Sequence, residues 1–274
     1  TELDASSLKR LLLSFEKKIT LNQQLRVKFF DTPSRFAESE VDLDDAIRDM
    51  GLCAAAPELY PKLCELGGVA SIVGLVSHEN SDISASACSL LYDLTDADVV
   101  DSSEAAAGGA AALAAAVEEH EGLSTLAANL RRFDEAEAEE AEAVHNTLGV
   151  FENVVAIGGA ALAARAAAGT SVARWLLTRV KKKAFDANKL YASEVLAILA
   201  SASEDAARAV AEMAGVDGSP DGVDALLTAC ACYRKRAPAV GDEEECVENL
   251  FQALASLITE APTVAVPLLA RAEG

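Results

Sequence analysis

The chain is short of aromatic residues, at 5%, with a single tryptophan, Trp175. It is also short of cations. Its 23 Lys and Arg face 44 Asp and Glu, which leaves a formal charge of −21. So few cations cannot neutralise a phosphate backbone, so direct nucleic-acid binding is not expected and basic partners are. Histidine is scarce: His78, His120 and His145 stand at no ligand spacing. The six cysteines (53, 64, 88, 230, 232 and 246) make no metal spacing either, so no metal or cofactor is expected. Cys230 and Cys232 are two apart and would point to different faces of a helix. All six are read as reduced core fillers of an intracellular protein. Long apolar runs are missing: Gly108 to Val117 is short, and Gly158 to Ala168 is interrupted by Arg165, so no membrane span is expected. Lys9, Arg10, Lys17 and Lys18 alternate with apolar residues at helical spacing, which is not the layout of a secretory leader. Gly108-Gly109 and Gly158-Gly159 lack a following Gly-Lys-Ser/Thr, so there is no phosphate loop, and nothing resembles a nucleophile elbow. No enzyme is expected.

What is present is alanine and periodicity. The 274 residues are 51% hydrophobic, and Ala dominates that share. Ala loses no side-chain entropy in a helix, so the chain is read as nearly all helix. Four times a glycine-led apolar helix pattern is followed by a charged loop and a second apolar helix pattern. The units start near Gly67-Gly68, Gly122, Gly169 and Gly222, at spacings of 54, 47 and 53 residues. Self-similarity at such a period marks an α-solenoid, which makes surface rather than chemistry.

Residues 2–16 and 20–30 read as two amphipathic helices, with Ser6 or Ser7 as a cap, and 34–50 as a third, acidic one. The organisation expected is an N-terminal helical cap over 1–62 and repeats over 63–103, 104–157, 158–214 and 215–262. A truncated further repeat would fill 263–274. No polar terminal cap follows the apolar run 264–270, so a longer parent protein is expected. In the first repeat, Val69, Ile72, Val73 and Val76 form one stripe and Ile83, Ala87, Leu90, Leu91 and Leu94 the next, across a polar turn carrying Asn80. This layout resembles an armadillo repeat, so the expected fold is an all-α, armadillo-type right-handed superhelix.

Longer strings carry a more specific resemblance. HNTLGVFENVV (145–155), WLLTRVKKKAFDANKLYASEVLAIL (175–199), EEECVENLFQAL (243–254) and an N-terminal FEKKITLNQQLRVKFFDTPSRFAESEVDLDDAIRDM are similar to the β-catenin-like protein 1 family. The similarity is weakest in the Ala-rich stretches 105–117 and 158–168 and fades after Pro262. It implies a nuclear, spliceosome-associated scaffold that accompanies the nineteen complex. It also implies binding of nuclear-localisation-type basic segments of splicing factors, such as that complex's Myb-type component, and in vertebrates of the antibody-diversifying deaminase. A homodimer through a region absent from this chain is a further possibility left open.

In an armadillo array the last helix of each repeat lines a concave groove. The non-apolar stripe on those helices gives the candidate partner-binding residues: Ser89 and Asp93 with Ser86; His145, Glu152 and Asn153 with Gly149; Tyr191 and Glu194; and Glu245, Asn249 and Gln252 with Ser256. The opposite stripe (Leu90, Leu94, Leu148, Phe151, Val155, Leu196, Leu199, Leu250, Leu254 and Leu257) is expected in the core, as is Trp175. Armadillo importins hold peptides with a Trp-x-x-x-Asn pair on this helix. The matching pairs here are Ser89/Asp93, Gly149/Asn153 and Glu194/Ile198, and only Asn153 fits, so the importin mode is not expected. The acid run 134–142 reads as a soluble helix start and Lys181-Lys182-Lys183 as a plain exposed turn. Three readings stand side by side: an acidic groove that captures basic segments, a scaffold docked through convex or terminal surfaces, and a transport adaptor.

Overall fold

The computed structural model describes residues 3–100 and 103–272, and among these the regular elements are helices, apart from one isolated bridge between Val216 and Ser219. The chain divides into two compact units, Thr1–Asn129 with Phe133–Asn153, and Leu130–Arg132 with Val154–Gly274.

The first unit opens on α1, Ala5–Lys28. Asp4 caps it: Oδ1 accepts the Ser7 N–H at 2.7 Å, and Ser7 Oγ accepts the Asp4 N–H at 2.9 Å. This reciprocal box satisfies two orphan donors and uses Asp4 where Ser6 or Ser7 was expected. The structure also joins the two expected helices into one of 24 residues. No breaker lies between them, and Thr20 folds its hydroxyl onto Glu16 O at 2.9 Å. The polar Asn22 that interrupts the apolar pattern is fully buried. It donates to Ser39 Oγ at 3.0 Å, and Ser39 donates to Phe36 O at 2.7 Å, at the start of α2, Ala37–Met50. His78 completes this network. Its Nδ1 accepts the Asn80 N–H at 3.1 Å, which leaves Nε2–H to donate to Asn22 Oδ1 at 3.1 Å. Buried polar groups are tolerated because each finds a partner.

After two 3-10 turns come α3, Tyr60–Glu65, α4, Gly68–Val76, and α5, Ser81–Thr95. The stripes read from the sequence are buried here: Val69, Ile72 and Val76 on α4, and Ile83, Ala87, Leu91 and Leu94 on α5. Asn80 caps α5 through the Asp82 N–H at 2.9 Å. Then follow α6, Ala97–Val100, α7, Glu104–Glu119, α8, Gly122–Asn129, and α9, Ala138–Gly169, which carries the chain from the first unit into the second. The second unit continues with α10, Val172–Lys181, α11, Ala187–Ala202, α12, Glu204–Ala211, α13, Gly222–Ala231, α14, Asp242–Glu260, and α15, Pro262–Ala272. Its core is the pairing of α11 with α14, with α10, α12 and α13 packed around them.

Three consecutive helices, the third the longest of each set, recur as α3–α4–α5, α7–α8–α9 and α12–α13–α14. This is the all-α armadillo pattern. Glycine opens α4, α8 and α13 for a steric reason. A Cβ on Gly68 would lie 2.3 Å from Leu63 Cδ1, on Gly122 2.6 Å from Val117 O, and on Gly222 1.9 Å from Val210 O. Each glycine thus lets the next helix start against the end of the previous one. Gly169 does not share this role. It ends α9, nothing lies within 4 Å of a Cβ there, and α10 starts at Val172. In the Ala-rich α7, a Cβ on Gly109 would stand 1.9 Å from Pro57 O, so small residues let this helix lie on the turn before α3.

Among the described residues, α9 is the one helix long and apolar enough to cross a membrane. It is not one straight apolar rod. Gly159, at φ 60° and ψ −150°, breaks it, and Val144, Leu148 and Phe151 are fully buried. The core expectation needs three corrections. Only Cys53, Cys88 and Cys246 are buried; Cys64 and Cys230 are half-buried and Cys232 is exposed, although all six thiols are free. Trp175 is half-buried, because Leu176 and Leu177 take the inward face of α10. Leu254 is half-buried as well, since Ala253, Ser256 and Leu257 take the inward face of α14.

Candidate interaction surface

In the first unit, α2, α5 and the start of α9 enclose an open cleft of about 500 Å³. Asp44 and Arg48 on α2, Ser86 and Ser89 on α5, and Glu139, Glu140, Glu142 and Asn146 on α9 line it. Asp44 and Arg48 are one turn apart and pair at 2.6 Å, and Ser86 donates to Asp44 Oδ1 at 2.5 Å. The cleft runs on, through Arg48, Ser86 and Ser89, into a hollow of about 250 Å³ lined by Leu90 and Asp93. One trough therefore follows the polar stripe of α5 from Asp82 to Asp93.

Carboxylates dominate this trough. Asp44, Asp82, Asp93, Glu139, Glu140 and Glu142 line it against one cation, Arg48. Burial, and then the neighbouring Asp96, raises the Asp93 carboxyl above the ordinary value. Burial also raises the Tyr92 hydroxyl, with Asp96, Glu152 and Asp93 adding to the shift. Glu152 on α9 therefore lies within electrostatic reach of the acidic end of α5. An incoming cation would stabilise the ionised form of Asp93.

The structure brings the expected residues of the first unit together unevenly. Ser89 and Asp93 line the trough. Glu152 is half-buried beside its end, and His145 is exposed on α9 outside the lining. Asn153 turns to Thr95 on α5, donating to its Oγ1 at 3.3 Å. Gly149, placed on this stripe by its spacing, is buried; it follows Leu148 into the core side of α9. Three glutamates of the acid run 134–142, read as a soluble helix start, line the cleft. Asp44 and Arg48 were missed altogether. They sit on the acidic cap helix, and no repeat in the sequence flags them.

In the second unit, Tyr191 and Glu194 are half-buried on α11, and Glu245 and Gln252 are exposed on α14. Asn249 donates to Ser193 Oγ at 3.4 Å, which sets α14 beside the Glu194 side of α11. Gln252 donates to Ser256 Oγ at 3.2 Å, and that serine, expected on the open stripe, is buried. Asn153 and Asn249 thus do the same job in the two units. Each ties a long helix to a hydroxyl on the long helix before it.

Among the described residues no cluster of three His, Cys, Asp or Glu side chains is arranged to hold a metal. What the surface offers is shape and negative charge.

The chain matches, over residues 1–274, the family described as "Catenin-beta-like, Arm-motif containing nuclear". It is 42% identical over 257 residues to beta-catenin-like protein 1 of Rattus norvegicus, covering 93% of this chain and 44% of the relative. The Homo sapiens protein of that name is 41% identical over the same span, with the same coverage. The Schizosaccharomyces pombe homolog is 34% identical over 261 residues, 94% of this chain and 44% of the relative. The chain spans less than half the length of these relatives. At this identity and coverage, the chain belongs to the catenin-beta-like family of Arm-motif proteins.

Proposed function

We propose that this part of the protein is a non-enzymatic interaction scaffold that captures an extended, basic segment of a partner protein along the polar stripes of its long helices. The observation that carries the reading is the α5 trough, where six carboxylates face a single arginine in a chain of charge −21. An extended chain of Lys and Arg would neutralise them, with steering at long range and salt-sensitive contacts at short range. Ser89, Asp93, His145, Glu152 and Asn153 would serve in the first unit, and Tyr191, Glu194, Glu245, Asn249 and Gln252 in the second. The cap over 1–62 and the repeats over 63–103, 104–157, 158–214 and 215–262 belong to the same proposal.

The family description includes the word nuclear, which supports a place in the nucleus, and the splicing machinery belongs to the proposal through the sequence resemblance alone. Nuclear-localisation-like segments of splicing factors are the partner class that fits both the charge and the family. The test is a double charge reversal, Glu152→Lys with Glu194→Lys, assayed for binding of a labelled basic peptide. Loss of affinity with an unchanged melting curve supports the reading. Unchanged affinity overturns it.

A second reading, a scaffold docked through other surfaces with no peptide groove, has one observation in its favour. Asn153 and Asn249 are engaged in helix packing. A partner that crosslinks to residues 1–60 and not to α5, α9, α11 or α14 would favour it.

A further inference from the structure

The second unit carries a surface of the opposite sign. Its segment from the end of α10 into the start of α11, residues 179–189, holds Arg179, Lys181, Lys182, Lys183 and Lys189 with Asp186 as the one acid. Its α13–α14 loop, residues 232–241, holds Arg234, Lys235 and Arg236 with no acid at all. The fold places these two segments side by side. Lys189, 1% exposed, donates to Lys182 O at 2.6 Å and lies 5.7 Å from the centre of the Tyr233 ring. Arg236 lies 5.4 Å from the same ring.

Asp186 and Glu243, the carboxylates bonded within these two segments, are already engaged. Asp186 pairs with Arg179 at 2.5 Å and caps α11 through the Lys189 N–H at 2.9 Å. Glu243, 5% exposed, receives Arg236, the Ala239 N–H at 2.8 Å and the Tyr233 hydroxyl at 3.4 Å. The next acids, Asp242, Glu244 and Glu245, follow only as α14 begins. Lys183, Arg234 and Lys235 are exposed, and each is without an ion pair among the described residues. Arg234 and Lys235 on one segment and Lys183 on the segment beside it are thus three unpaired cations among the described residues, in a chain with 44 carboxylates.

We infer that this edge, formed by Lys183, Arg234 and Lys235 over the Lys189–Tyr233 contact, docks an Asp/Glu-rich extended segment of a protein. Anionic oxygens suit the ammonium and guanidinium groups on offer, and Arg234 can take a carboxylate with two parallel N–H donors. A protein segment is favoured over RNA because single-stranded RNA is gripped by aromatic platforms as well as charge, and the Tyr233 ring is occupied by Lys189 and Arg236.

The test uses the 274-residue chain and a fluorescein-labelled dodecapeptide of alternating Glu and Ser, read by anisotropy at about 0.15 M salt, where screening acts beyond about 8 Å. The triple variant Lys183→Ala, Arg234→Ala, Lys235→Ala is compared with a control of equal charge, Lys9→Ala, Arg10→Ala, Lys17→Ala, on α1. All six side chains are exposed, and melting by circular dichroism checks that both variants fold. The expected result is a peptide affinity at least about tenfold weaker in the first variant and within about twofold of the parent in the control. No binding by the parent, unchanged affinity in the first variant, or equal losses in both would overturn the inference. So would a dodecamer RNA that binds tighter than the peptide and is lost in the first variant.

Discussion

Asn153 on α9 donates its side-chain amide to Thr95 Oγ1 on α5 at 3.3 Å, and Thr95 passes its own hydroxyl proton to Leu91 O at 2.9 Å. The hydroxyl is fully buried, so the asparagine completes a chain of bonds that fixes the spacing of the two long helices. Asn153→Ala should lower stability by about 1 kcal/mol, the usual net worth of one such bond. Urea unfolding of Asn153→Ala, Thr95→Val and the double variant should give a coupling of about 0.5 kcal/mol or more. Additive effects would show that the contact contributes nothing.

The glycines that open the short helices should not be interchangeable with the one that does not. Gly222→Ala drives a Cβ to 1.9 Å from Val210 O, a backbone atom that cannot swing away. Its cost is expected at about 1–3 kcal/mol, as for other overpacked sites. Gly169→Ala has open space and should shift stability by less than about 0.5 kcal/mol. Paired chemical denaturation curves of the two variants check the difference.

His78 should make the first unit sensitive to mild acid. Burial, and then the charge of Arg26, lowers its pKa below the usual 6.5. In the folded state Nδ1 must stay unprotonated to accept the Asn80 N–H. An imidazole with a depressed folded pKa contributes stability that is complete above the unfolded pKa and is lost as pH falls below it, because the unfolded chain binds the proton first. The melting temperature of the parent should therefore drop between about pH 6.5 and pH 5. His78→Gln should be less stable at pH 7.5 and should show a smaller drop over that window.

Glu243 sets a second, more acidic window. Its hydrogen bond from Arg236, followed by that from the Ala239 N–H, holds the carboxyl at about 2. A depressed carboxylate contributes stability that is present above its unfolded pKa and fades as pH falls toward the folded value. Glu243→Gln should remove part of the stability lost between about pH 4.5 and pH 2, read from acid titrations of parent and variant.

Much of the fold is legible in the sequence because helix stripes repeat at fixed spacing. Val69, Ile72 and Val76, or Ile83, Leu91 and Leu94, are buried as periodicity predicts. The errors have local causes. Residues 17–19 read as a gap between two helices, yet α1 runs through them whole, with Thr20 bonded back to Glu16 O and Asn22 to Ser39. Gly169 looks like Gly222 in sequence, yet it ends α9 with open space beside it, whereas Gly222 opens α13 against Val210 O. The candidate surface is less legible, because a cleft is made by neighbours. Ser89 and Asp93 follow from the stripe of α5, whereas Asp44, Arg48 and Asn146 enter it from elements whose placement no spacing reveals. Polarity on a helix also does not separate residues that face a partner from residues that tie helices together, as Asn153, Asn249 and Ser256 show.

The most direct test of the central claim is fluorescence anisotropy of a labelled, basic splicing-factor segment against this chain at physiological salt, beside a scrambled peptide of equal charge. The account predicts tighter binding of the native segment, weakened by Glu152→Lys with Glu194→Lys. Equal binding of both peptides, vanishing together as salt is raised, would contradict it and leave only nonspecific attraction to an acidic surface.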